Sequence, residues 1–254
     1  MKDDIRDAIY RRPLVEIEKF QFNDQVASVF DDMISRSVPG YSLTLDMLHV
    51  IGNELIQPQS NVYDLGCALG ASSLAISEGL INHQATLVAI DNAPAMIAAA
   101  KKNLKPLAQQ CQQSDHASIR LLCENIEASK IEHASLVVLN FTLQFIPVAE
   151  KQAVLRNIAN GLLPGGVLFL SEKIQFENRH QQALMNQLHH GFKQAQGYSQ
   201  LEIAQKRTAL ENVLTPDTLD QHRERLQQAG FDDVMVWFQC FNFISMLAFK
   251  NEKT

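Results

Sequence analysis

Nine positions in this chain combine residue types and spacing suited to binding chemistry: Asp64, Gly66, Cys67, Ala68, Asp91, Asn92, Asn125, Ile126 and Asn140. The segment Val62-Tyr63-Asp64-Leu65-Gly66-Cys67-Ala68-Leu69-Gly70 reads as an apolar strand ending in an acid, then a glycine-bearing turn into a helix. Glycine in such a turn takes positive φ and lets a ligand approach the backbone, while the helix start presents free N–H groups. Asp91 closes a second apolar run, 25 residues beyond Gly66. A carboxylate there accepts hydrogen bonds from both hydroxyls of a ribose, and it equally suits capping the helix near Asn92-Ala93-Pro94. Asn125-Ile126 follows the third apolar run and Asn140 ends the fourth, where it would otherwise be a simple polar plug. Together these positions describe a nucleoside-cofactor pocket.

A nicotinamide fingerprint requires G-x-G-x-x-G, and the chain offers Gly66-Cys67-Ala68-Leu69-Gly70-Ala71 instead. The E/D-x-G-x-G-x-G pattern of S-adenosylmethionine proteins fits better, with Ala68 in the middle glycine's place. S-adenosylmethionine is therefore the expected cofactor, with Asp64 directed to its amino-acid end, directly or through water.

The elements that must position these residues alternate. Apolar runs predict buried strands at Asn61 to Gly66, Thr86 to Asp91, Ile119 to Glu124, Ser135 to Phe141 and Gly166 to Ser171. Helical patterns lie between them at Ser72–Leu80, Ala95–Leu107 and Ala149–Leu162, the last closed by Leu163-Pro164-Gly165-Gly166. Such alternation with apolar strands predicts a doubly wound α/β fold with a mostly parallel sheet. Upstream, Val26, Val29, Phe30, Met33 and Ile34 follow helical spacing behind Asn23 as a cap, and Ser42 is expected to cap a second helix. Downstream lies a helical stretch, Asn178 to Ala229, with expected breaks at Gly191, Gly197 and Pro216. Two aromatic-rich strands, Val234–Gln239 and Asn242–Lys250, complete seven. One domain is expected, comprising an N-terminal arm with helices (1–58), a cofactor core (59–176), a helical cover (177–230) and terminal strands (231–254).

Composition narrows the classes. Lys plus Arg (22) less Asp plus Glu (28) leaves −6, so direct gripping of nucleic acid, which needs a basic footprint, is not expected. The four cysteines include no C-x-x-C pair, which predicts a reducing, cytoplasmic setting. The charged N-terminus lacks a signal-peptide centre, and no run approaches the roughly 18 apolar residues of a membrane span. His180, His189 and His190 have no convincing acidic or thiol companions, so no metal is expected. Cys67 sits at a helix start, which favours thiolate, but reads better as a small loop residue than as a nucleophile. Trp237, Phe238, Phe241 and Phe243 read as core or interface.

Four longer segments carry a more specific resemblance: Ser37-Val38-Pro39-Gly40-Tyr41-Ser42, Asn140-Phe141-Thr142-Leu143-Gln144-Phe145, Gln205-Lys206-Arg207-Thr208-Ala209-Leu210-Glu211-Asn212-Val213 and Trp237-Phe238-Gln239-Cys240-Phe241-Asn242-Phe243. From about Phe20 to Lys250 the chain resembles the carboxy-S-adenosyl-L-methionine synthases of the bacterial wobble-uridine tRNA modification pathway. The resemblance implies that prephenate loses its ring carboxylate and hydroxyl to give phenylpyruvate. The carbon dioxide is captured at the deprotonated methyl of S-adenosylmethionine, through a sulfonium ylide, and a separate tRNA carboxymethyltransferase uses the product. It further implies a class I methyltransferase-like sheet of seven strands and a homodimer. Ligand contacts are implied at Tyr41, Gly66, Cys67, Ala68, Asp91, Asn92, Asn125, Ile126 and Asn140. Arg207 is implied to hold the new carboxylate, in the same subunit or across the dimer. A guanidinium suits that role because its planar fork matches a carboxylate. Ala68 stands where relatives often carry Ser, and Asn125 where an acid is expected; both changes leave backbone contacts available. Arg179 and His180 are further candidates for a dicarboxylate substrate. Two rival readings remain: a conventional small-molecule methyltransferase, and a non-catalytic cofactor-binding module docked on a tRNA-modifying partner.

Overall fold

The structure is a computed structural model that describes residues 6–113 and 117–250. Its elements begin with α1 (Asp24–Ser37), α2 (Tyr41–Leu55), β1 (Asn61–Leu65), α3 (Ala71–Ala75) and α4 (Ser77–Asn82). Next come β2 (Thr86–Asp91), α5 (Pro94–Asn103), α6 (Lys105–Gln113), β3 (Ser118–Cys123) and β4 (Ala134–Asn140). The rest are α7 (Val148–Gly161), β5 (Leu162–Lys173), α8 (Arg179–Ala195), α9 (Gln200–Leu210), α10 (Leu219–Ala229), β6 (Asp233–Cys240) and β7 (Phe243–Phe249).

The sheet order is β3-β2-β1-β4-β5-β7-β6. β1 to β5 run parallel, and β7 lies antiparallel between β5 and β6. The central strands are apolar because helices cover both faces. Alternate residues of β4 therefore enter opposite cores: Val137 and Leu139 meet Val154, Leu155 and Leu226, while Leu136 and Val138 meet Leu48 and Leu80. Parallel order brings the C-terminal ends of β1, β2, β4 and β5 to one edge, where open α/β sheets bind ligands.

Asn23 caps α1 as its position predicts, accepting from the Val26 N–H at 3.0 Å. Ser42 does not cap α2. Gly40 occupies that position at φ +79°, where a Cβ would lie 2.3 Å from the Phe238 ring, and Ser42 falls inside the helix. The two helical patterns flanking β2 each divide in two, at Ile76 and at Leu104. α2 crosses α4 so closely that a Cβ on Gly79 would lie 2.5 Å from the Gly52 carbonyl oxygen, and the chain redirects after α3 to reach that crossing. Gly191 lies inside α8 rather than breaking it; Gly197 and Pro216 do fall between helices. α7 closes just before Leu163-Pro164-Gly165-Gly166 as expected, but that segment already belongs to β5, where the register against β4 shifts between Ala134 and Leu136. Among the described residues no helix is long and apolar enough to cross a membrane.

One buried ionic latch secures the connection between α9 and α10. Lys151 of α7, fully buried, donates to the Thr215 carbonyl and to Asp217 Oδ2 at 3.1 Å, and Arg225 Nε reaches the same oxygen at 3.2 Å. Breaking a buried pair strands a charge. Lys151→Ala is expected to lower unfolding free energy by about 3 kcal/mol, read from urea denaturation, with Arg225 limiting the loss.

Candidate functional site

A cavity of about 340 Å³ opens at this edge of the sheet. Tyr41, Gly66, Cys67, Ala68, Asp91, Asn92, Ile126 and Asn140 all line it. Two predicted site residues, Asn125 and Arg207, do not, and both are exposed. Asn125 Oδ1 accepts from Asn92 Nδ2 at 2.9 Å, so it meets the cavity through its neighbour.

The glycine loop is built as its sequence demands, with one addition. Gly66 sits at φ +76°, and a Cβ there would lie 2.4 Å from Thr142 Cγ2, so the side chain that follows β4 fills the room glycine leaves. Ala68, in the middle-glycine position, adopts φ +47°, and its N–H donates to Asp91 Oδ2 at 3.0 Å. Asp91 Oδ1 accepts from the Ala93 N–H at 2.9 Å. Both roles expected of Asp91 are therefore compatible. A carboxylate offers about four acceptor positions, so two remain for ribose hydroxyls. Burial pushes the Asp91 carboxyl up, against the two N–H donors that favour its charge.

Asp64 is fully buried and does not line the cavity. It accepts from Ser73 Oγ at 2.6 Å, and burial raises its pKa to about 6 against the pull of Ser73. Its place is beneath the loop, behind the residues that line the cavity. Asn140 Nδ2 donates to Ser72 Oγ at 3.1 Å, while its buried Oδ1 has no partner. That orphan acceptor suits a donor from the amino-acid end of a cofactor, since an unpaired buried oxygen costs free energy. Next to it Phe141 takes φ +62°, unusual for an aromatic residue, with its ring between Tyr41 and Phe243. Burial, reinforced by Asp64 and Asp91, pushes the Cys67 thiol far up, which removes it as a nucleophile.

The cavity also holds a basic group that the sequence did not advertise: Lys173 at the end of β5, His189 and Lys193 on α8, and Lys206 on α9. α8 is turned inside out, with Leu184 and Leu188 41% and 38% exposed while His189 and Lys193 are buried. His189 Nε2 lies 2.8 Å from the Ser37 carbonyl, which accepts only, so Nε2 carries the proton. Burial and then Lys193 hold the His189 pKa at about 2, leaving a neutral ring. Burial, then Lys206 and Lys173, brings Lys193 down to about 7. Lys206 falls to about 8 through burial, partly opposed by Asp7, and donates to Ser37 Oγ at 3.0 Å. Arg179 and His180 are exposed and outside the cavity lining.

α9 also straps the N-terminal arm. Gln205 Nε2 donates to the Tyr10 and Arg12 carbonyls at 2.9 Å each, and its Oε1 accepts from the Leu14 N–H at 2.7 Å. Tyr198 donates to Asp7 Oδ2 at 2.6 Å, and the Arg36 guanidinium stacks 3.9 Å from the centre of the Tyr198 ring.

Sheet order and glycine cradle together define a protein of the class I methyltransferase fold. Residues 63–168 match the protein family described as "Methyltransferase domain". Among solved structures, an O-methyltransferase family protein from Burkholderia thailandensis shares the fold at TM-score 0.62, with 16% identity over 94% of this chain and 66% of that one. Human N-acetylserotonin methyltransferase in complex with SAM does so at TM-score 0.58 and 16% identity, over 90% of this chain and 55% of that one. Sequence is more specific. The chain is 51% identical over 239 residues to the carboxy-S-adenosyl-L-methionine synthase of Marinobacter nauticus, covering 92% of this chain and 91% of the relative. It is 49% identical over 244 residues to that of Trichlorobacter lovleyi, covering 96% and 98%. The chain belongs to the carboxy-S-adenosyl-L-methionine synthase family of enzymes.

Gly66→Ala combines a left-handed φ with a steric clash against Thr142, so a loss of about 2–4 kcal/mol is expected in thermal or urea unfolding. The lysines set a pH trend. Lys193 and Lys206 titrate near 7 and 8 when folded and near the ordinary lysine value when unfolded. Between those values the unfolded chain binds more protons, so stability of the ligand-free protein rises with pH. From about pH 7 to about pH 8, below the ordinary cysteine value of about 8.5, melting temperature is expected to climb, with a flatter slope in Lys193→Met.

Proposed function

We propose that this chain makes carboxy-S-adenosyl-L-methionine from S-adenosyl-L-methionine and prephenate, releasing phenylpyruvate. The observation that carries the proposal is the near-full-length likeness to carboxy-S-adenosyl-L-methionine synthases at 51% and 49% identity. The cradle fits the cofactor: Asp91 has acceptor capacity to spare, and Asn140 Oδ1 awaits a donor. When bound, S-adenosylmethionine supplies a methyl group made acidic by the adjacent sulfonium. In balance, prephenate gives phenylpyruvate, carbon dioxide and hydroxide; the hydroxide takes a methyl proton as water, and a carbon–carbon bond forms to carbon dioxide. His189, with its pKa near 2, is a poor base, so the departing hydroxide is the better proton acceptor. The role of the chain is to position the reactants, exclude water and order charge.

Arg207 orients the new carboxylate, and it does so in the partner subunit of a homodimer. In its own chain Arg207 is exposed and outside the cavity, and its charge acts on His190. α8 and α9 also expose Leu184, Leu188 and Leu201, which a second copy would cover. The product then serves a separate cytoplasmic enzyme that carboxymethylates the tRNA wobble uridine.

Mass spectrometry of the reaction with prephenate tests the chemistry. Wild type is expected to form the carboxylated product; methylated acceptor with S-adenosylhomocysteine, or ligand binding without turnover, would refute the reading. Arg207→Ala is expected to lose about 100-fold in kcat/KM. Reassembled with inactive Asp91→Ala, it is expected to recover about one quarter of wild-type activity, since half the mixed dimers are hybrids with one complete site each. No recovery would place Arg207 in its own subunit's site.

A further inference from the structure

Three ammonium groups reach the cavity from three separate elements, and their partners are unequal. Lys206 has Ser37 Oγ at 3.0 Å and Asp7 Oδ2 at 4.0 Å. Lys193 is 9% exposed, and among the described residues it has no carboxylate or hydrogen-bond partner. Lys173 likewise has none, and it is mostly buried. A buried ammonium without a counter-charge is expensive, and folds rarely keep one without use. Asp7 faces Lys206 alone, which leaves the cationic groups at this end of the cavity in excess of the anionic ones.

Sheet order places that excess. Asp91 ends β2 and Lys173 ends β5, three strand spacings apart, or about 14 Å. The basic group therefore lies beyond the Asn140 end of β4, on the far side of the cradle from the ribose acid. Two other acids line the cavity, Glu127 beside Ile126 and Asp31 on α1, and both are exposed. The adjoining walls are apolar: Phe20, Phe22, Phe30, Phe145, Leu210 and Leu214. Phe22 meets Phe145 edge-on with ring centres 5.2 Å apart.

We propose that Lys173, Lys193 and Lys206 form one anion-receiving wall that binds both carboxylates of a small dicarboxylate co-substrate, whose unsaturated ring lies against the phenylalanines. The inference rests on the synthase reading and deepens it by assigning the co-substrate's site. In prephenate both carboxylate arms leave a single ring carbon, so both face one wall while the ring faces away. The same arrangement explains the choice of lysine. Three mobile point charges follow a carboxylate that must detach as carbon dioxide, where a rigid guanidinium fork would hold it fast. These lysines are substrate-binding residues.

Calorimetry on protein saturated with S-adenosylhomocysteine tests the wall without requiring turnover. The probes are prephenate, phenylsuccinate as a stable dicarboxylate, and phenylpyruvate as a monocarboxylate. Wild type is expected to prefer the dicarboxylates by at least about 10-fold, and Lys193→Met and Lys173→Met are each expected to weaken them by about 10- to 100-fold. S-adenosylhomocysteine affinity is expected to stay unchanged in Lys193→Met, while its melting temperature at pH 7 rises because an uncompensated buried charge is gone. A purely structural lysine would lower melting temperature instead. Wild-type dicarboxylate affinity in both variants would overturn the proposal. So would an equal loss of S-adenosylhomocysteine affinity, which would give the lysines to the cofactor's own carboxylate. If wild type turns over prephenate while the variants bind it normally, the wall falls and the synthase reading stands. Lysine-dependent phenylsuccinate binding without turnover of prephenate gives the reverse.

Discussion

The bridge that Asp91 makes between the Ala68 and Ala93 amides is the interaction on which the site depends. One carboxylate draws the loop after β1 against the helix that follows β2, so two separate βα turns become a single rim. The left-handed Ala68 is held within that rim, and Gly66 lies beneath the Thr142 side chain. Turns after β1, β2 and β4 thus lock one another. Asp64 supports the rim from below through Ser73. Burial raises the pKa of both acids, so the rim is sensitive to whatever charge a ligand brings.

The opposite end of the cavity is organised by cost rather than by closure. α8 puts Leu184 and Leu188 outward and His189 and Lys193 inward, reversing ordinary amphipathic packing, while α9 buries Gln205 and Lys206 beside Ile203 and Ala209. The outward leucines want a partner, and the inward ammonium groups want anions. A second copy on the outer face and a dicarboxylate in the cavity, as proposed above, would meet both demands. The helical cover is in this sense half of a binding reaction.

What the sequence made legible follows from the range of the forces involved. Strand runs such as Leu136 to Leu139 and the Gly66 to Gly70 turn are local patterns, and they fold where their spacing places them. Asn23 is likewise a local cap. Ser42 failed because Phe238, almost two hundred residues away, packs against Gly40 and moves the helix start. Lys173, Lys193 and Lys206 escaped notice because each looks like a solvated charge in its own segment, and only tertiary structure brings them together. One signal was available: in α8, Leu184 and Leu188 share one stripe while His189 and Lys193 fall on another, so two competing faces were written in that helix. Arg207 was conspicuous by motif, yet its exposure depends on a surface that no local pattern encodes.

The strap between the N-terminal arm and α9 joins residues 191 to 195 positions apart in the chain. A nascent polypeptide emerges from the ribosome from its N-terminus, so the backbone groups of Tyr10, Arg12 and Leu14 keep water as their partner until Gln205 has been made. The Gly66 and Asp91 turns will have been synthesised long before the cover that walls the far end of the cavity. The residues of the cofactor cradle are therefore synthesised before the helices that wall the far end of the cavity, and that wall can close only when synthesis is almost complete.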